Sequence, residues 1–110
     1  MPKYVVLYNS EQSAESQMEG MDPDAANEGM QQWMDWAGRA GDALVDFGTP
    51  LGHGQQVTKD GAAASSSKAG GYSIMQGDED RVMALLKDHP HLMMPGNTIE
   101  VFETLEMPGM

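Results

Sequence analysis

Residues 3–8, KYVVLY, carry apolar or aromatic side chains at almost every position, where a strand with one wet face would alternate. β-branched and aromatic residues favour extended backbone, and successive side chains point to opposite faces of a sheet. Val5 and Leu7 therefore share one face of a first strand, and Tyr4, Val6 and Tyr8 share the other. A sheet containing this strand needs cover on both sides, and that requirement limits what the remaining residues can build.

The segment from Ser10 to Met21 is polar and without periodicity, which predicts a surface loop. Asp22, Pro23 and Asp24 suit a helix start through side-chain capping, proline in the first turn and negative charge near free amides. From there Met30, Trp33, Met34, Ala37, Ala40, Gly41 and Leu44 recur at helical spacing and predict a first helix with one buried stripe. Trp36 falls off that stripe. Gly48, Thr49 and Pro50 end the helical stretch. Leu51 to Thr58 can form a second strand, followed by the turn Lys59-Asp60-Gly61 and the small-residue run AAASSS. A third strand follows Gly71 through Tyr72 to Gln76. Asp78 can cap a second helix with Val82, Leu85 and Leu86 packed and Pro90 limiting it, and Thr98 to Leu105 alternate as a final strand.

The order strand, helix, strand, strand, helix, strand predicts an α+β fold, the ferredoxin-like β-α-β-β-α-β protomer with a four-stranded antiparallel sheet and two helices. Two helices cover one sheet face, so the apolar second face predicts a homodimer. One domain over residues 1–110 is expected, with flexible segments near 10–22 and 59–69. The chain has no cysteine, which excludes disulfides and thiolate metal sites. Seventeen acidic residues against six basic ones give a formal charge of −11, which repels phosphate backbones and anionic membranes, so no nucleic-acid or membrane partner is expected. No run approaches the roughly 18 apolar residues of a membrane helix, and the opening residues do not read as a signal peptide, which predicts a cytoplasmic chain.

Taken together, KYVVLY at the start, DFGTPLG after the first helix, KDG and KAGGYSIMQG before and through the third strand, and HPHLMMPGNTIEVFE at the end resemble the YCII-related family, particularly its DGPF-type branch. The resemblance implies a dimeric α+β barrel with a pocket near the sheet and the first helix. In one branch of that family a histidine near the start of helix one, paired with an aspartate, acts in a dehydrochlorinase. This chain has no histidine between Asp22 and Phe47, and the DGPF stretch survives only as Asp60-Gly61, followed by Ala62 and Ala63. What the resemblance implies is thus the fold more than a reaction.

Candidate chemistry falls on a few residues. His53 lies between Gly52 and Gly54, where small neighbours leave room for a ligand, and its near-neutral intrinsic pKa suits proton transfer, with Asp46 as the group that would orient the ring. Tyr8 and Tyr72 can line a cavity with their rings and orient a small polar molecule with their hydroxyls. His91, after Pro90, can lean over the end of the sheet as a ligand-binding residue. His89, at the end of the second helix, is expected to cap exposed carbonyls as a surface cation and to lie farther than His91 from any pocket. The two rings lack a local third ligand, so no metal is expected, and the glycines of GTPLGHG and KAGG match neither a phosphate loop nor a dinucleotide loop, so no cofactor is expected. Two functions follow as expectations. One is a small-molecule enzyme working by proton transfer, lyase-like or dehydrochlorinase-like; the other is a noncatalytic ligand-binding or dimerisation module.

Overall fold

The computed structural model describes residues 1–12, 19–20 and 22–109. Among the described residues, six strands and two helices follow one another as β1 (Lys3–Asn9), α1 (Pro23–Ala40), β2 (Leu44–Asp46), β3 (Gln55–Thr58), β4 (Gly61–Ala64), β5 (Ala69–Gln76), α2 (Glu79–Lys87) and β6 (Thr98–Glu103). Short 3₁₀ turns at Gly41–Ala43 and Pro90–Met93 leave the two helices. Most of the expected loop at 10–22 falls outside the described residues, which omit 13–18 and 21.

β1 lies inside the main sheet, whose order is β2-β5-β1-β6 with every pairing antiparallel. Its register sets Tyr4 opposite Met75, Val6 opposite Ser73 and Tyr8 opposite Gly71, and these residues are buried. They pack with Trp36 and Ala40 of α1 and Val82 and Leu86 of α2 in one core, so both helices lie on the same sheet face. Val5, Leu7, Tyr72, Ile74 and Phe102 alternate onto the opposite face.

Helix α1 begins as its residues require. The Asp22 carboxylate accepts the Asp24 amide at 3.2 Å, and Pro23 occupies the first turn. It ends where Gly41, at φ +56°, enters the left-handed region and donates its amide to the Ala37 carbonyl. The buried stripe is Trp33, Trp36, Ala37 and Ala40, with Trp36 wholly buried, while Met30 and Met34 are exposed. The sequence phasing that placed Met34 inside and Trp36 outside is thus rotated: the larger flat surface takes the core position, and the Trp36 indole N–H reaches the Leu85 carbonyl at 2.8 Å.

Three expectations about the sheet are corrected. The second strand is the three-residue β2, not Leu51–Thr58. Residues 55–58 instead pair with 61–64, expected to belong to a connecting segment, in a separate two-stranded sheet. The two-residue Lys59-Asp60 loop, with Gly61 at φ +143°, closes that hairpin despite the low strand propensity of its alanines, so local turn chemistry outweighs composition. The main sheet also has two unpaired edges, β2 and β6, so it is open and does not close into the α+β barrel that the resemblance implies. What stands is an α+β fold with a four-stranded sheet and two helices, plus an inserted hairpin. Among the described residues no helix is long and apolar enough to cross a membrane.

Candidate functional site

The residues expected to act together are placed apart. His53 is exposed in the segment between β2 and β3, at φ +53°. Asp46, at the end of β2, turns its carboxylate to the Gly48 amide at 2.8 Å and so shapes its own turn. Tyr72 lies opposite Leu7 on the sheet face away from the helices, whereas Tyr8 lies opposite Gly71 on the covered face, so the two hydroxyl-bearing rings do not line one cavity. Tyr8 and His91 do converge, with ring centroids 5.4 Å apart.

They converge on a residue expected at the surface. His89 is only 1% exposed, with its ring 4.3 Å from Trp33, 4.3 Å from Trp36 and 4.7 Å from Tyr8. The backbone explains the placement: as the residue before Pro90, His89 takes an extended conformation at φ −68° and ψ 134°, which turns its side chain back under the helix. Its Nδ1 then accepts the His91 amide at 2.9 Å and caps the 3₁₀ turn. This is the reverse of the expected role, since the ring caps as a neutral acceptor and not as a cation on helix carbonyls. Burial, aided by the charges of His91 and Arg39, pushes its pKa down to about 3. With Nδ1 accepting, the proton sits on Nε2, and that buried atom has no hydrogen-bond partner.

The remaining polar groups of the cluster are engaged. Ser73 donates its hydroxyl to the Phe47 carbonyl at 2.6 Å and accepts the Tyr8 hydroxyl at 2.8 Å. Burial raises the Tyr8 pKa to about 12. His91 donates from Nε2 to the Asn9 carbonyl at 2.8 Å, tying the 3₁₀ turn to the end of β1, while Asn97 faces its other nitrogen. The signal that could have found His89 is helical phase: Val82, Leu86 and residue 89 follow at spacings of four and three, continuing the buried stripe past the helix end. Among the described residues no group of three histidine, aspartate or glutamate side chains could hold a metal ion.

Two surface depressions stand out, and no histidine lines either. One, about 530 Å³, lies between residues 1–3 and 103–106. The other, about 250 Å³, runs between α2 and β6, over Tyr4.

Apolar side chains are also exposed away from these depressions. The molecule measures 50 × 44 × 20 Å, and its shortest dimension accommodates one helix layer on one sheet layer. Phe102 on the open sheet face is 51% exposed. Every residue of the β3–β4 hairpin is exposed, Val57 at 75%. The radius of gyration, 15.5 Å, exceeds the roughly 13 Å of a compact chain this long.

No family model matches the chain, and no curated protein matches it either. The expected membership in the YCII-related family and its DGPF-type branch is therefore withdrawn, because no match supports it and the sheet lacks the barrel closure it implies.

Proposed function

We propose that this protein is a noncatalytic association module that works as a homodimer, two copies meeting through the sheet face turned away from the helices. The observation that carries this reading is the face itself. Val5, Leu7, Tyr72, Ile74 and Phe102 form the apolar part of that face, bordered by Lys3, Asn9, Gln76 and Glu100, in a two-layer molecule, and a second copy offers a matching one. The hairpin adds to the argument, since an isolated two-stranded sheet is marginally stable in water and gains from lying against a partner. The rival, proton transfer on a small polar molecule, needs a ring and a carboxylate at a shared cavity. It draws less support, because Asp46 is engaged by Gly48, and His89 and Tyr8 sit in a cluster filled by side chains.

Light scattering at low micromolar concentration tests the reading. The wild type should have twice the 11.9 kDa chain mass. Phe102→Asp removes a ring from each copy's face and puts a carboxylate on it, so the dimer should weaken about a hundredfold while far-ultraviolet dichroism is retained. A wild type that stays monomeric at tens of micromolar would refute the proposal.

A further inference from the structure

The groove between α2 and β6 holds a combination that the core does not explain. Tyr4 is 6% exposed, and its ring belongs to the core. Among the described residues its hydroxyl has no hydrogen-bond partner, yet it is not a sealed polar atom, and Tyr4 lines the groove. The ring is thus held by the core while its oxygen stays within reach of a molecule in the groove. Beside it stand two carboxylates, Glu79 from the first turn of α2 and Glu103, which β1–β6 pairing sets directly opposite Tyr4. Neither is neutralised, since the ion pairs among the described residues are Lys68–Glu11 and Arg81–Asp42. Lys3, next to Tyr4 in sequence, alternates onto the other face of β1. The negative surroundings are felt at the hydroxyl: burial, then Glu103, Glu79 and Asp78, raise its pKa.

The rest of the groove is apolar, walled by Val82, Ile99 and Val101. We infer that this groove binds a primary alkylammonium group, its head held by Glu79, Glu103 and the Tyr4 hydroxyl and its carbon chain lying along Val82, Ile99 and Val101. The match is one of number as well as charge. A primary ammonium presents three N–H donors, and the acidic end offers two carboxylates and one phenol oxygen as acceptors. The volume of about 250 Å³ lies just below the usual range for small-molecule sites, which limits the ligand to a short chain. A free amine and a lysine side chain share this chemistry.

Amide-resolved NMR titration of the full chain with n-hexylammonium tests the assignment. Saturable shifts should centre on Tyr4, Glu79, Val101 and Glu103. Affinity should rise by up to about fourfold per methylene from ethyl to hexyl, following the transfer of carbon from water. The hexyltrimethylammonium ion, with the same charge and no donors, should bind at least tenfold more weakly, and hexanol should not saturate. Tyr4→Phe should weaken hexylammonium about fivefold, the effect of one hydrogen bond. The pair Glu79→Gln and Glu103→Gln should abolish saturation, and a charge-matched pair on exposed sites elsewhere, Glu28→Gln and Asp60→Asn, should leave it unchanged. Nα-acetyl-lysine amide, titrated alongside, distinguishes a free amine from a lysine side chain by which binds more tightly. Equal binding of the trimethyl ion, equal loss in the charge-matched pair, or shifts spread over the surface without saturation would each overturn the site.

Discussion

Replacing His89 by phenylalanine should make the protein less sensitive to mild acid, and the size of the change follows from where the ring sits. The imidazole is sealed among Trp33, Trp36 and Tyr8, and its pKa is pushed down to about 3. In the unfolded chain the same group titrates near 6.5. Between those values the unfolded state binds a proton that the folded state refuses, so stability is complete above about pH 6.5 and falls as the pH is lowered towards 3. At pH 5 the loss from this one ring is about 2 kcal/mol, from an unfolded-state pKa 1.5 above the solution pH. That figure hardly changes for any folded-state value well below 5. Phenylalanine keeps a ring in the cage, loses the acceptor for the His91 amide and removes the unpartnered Nε2. The two polar effects oppose each other at neutral pH, but neither varies with pH. Urea unfolding followed by tryptophan fluorescence, with both indoles against His89, gives the free energies at pH 7 and pH 5. At one fixed protein concentration, wild type should lose about 2 kcal/mol more than His89→Phe over that interval. Equal losses would show that His89 takes up its proton in the folded state and that the neutral, sealed ring is wrong.

Ser73→Ala strands the buried Tyr8 hydroxyl and should cost about 2 kcal/mol in urea unfolding; adding Tyr8→Phe should recover part of it, and strictly additive losses would break the Tyr8–Ser73–Phe47 chain. Gly48 stands at φ +79°, and a Cβ there would lie 1.7 Å from the Tyr72 carbonyl oxygen, so Gly48→Ala should lower Tm by about 10 °C or more; an unchanged melting curve would refute the close approach. Each copy carries a charge of −11, so the proposed dimer should tighten as sodium chloride rises from 20 to 200 mM, and light scattering showing dissociation over that range would contradict an apolar interface.

What the sequence disclosed depended on whether the deciding contacts were local. β1 and β5 were legible because β-branched and aromatic density marks interior strands, and the start of α1 because Asp22 and Pro23 act within one turn; its end was placed too late, at Gly48, because Gly41 and Leu44 also fit the helical stripe. β2 was missed because three residues leave no period, and Leu44 also satisfied the helical stripe. Val57 and its neighbours were assigned to the main sheet because pattern does not name a partner; the Lys59-Asp60 turn supplied the nearest one. The site suffered most. His53 and Asp46 are near in sequence, which suggested a pair, whereas Tyr4, Glu79 and Glu103 come from three distant elements and meet only through strand register and helix placement. His89 was misread because its sequence position suggested a helix-end cation, while the proline after it directed the ring inward.

The interior position of β1 also bears on how the chain is made. Both of its neighbours lie far downstream, β5 at 69–76 and β6 at 98–103, with 67 residues from Asn9 to the end of β5. At ordinary synthesis speeds that separation is on the order of 3 to 13 s, during which neither strand that pairs with KYVVLY has been completed. Helix α1 and the β3–β4 hairpin close through short-range contacts and can form meanwhile; the sheet cannot. For those seconds the most apolar strand is a bare nascent segment, so slower growth or a chaperone holding the emerging chain should decide the soluble yield more than the stability of the finished fold does.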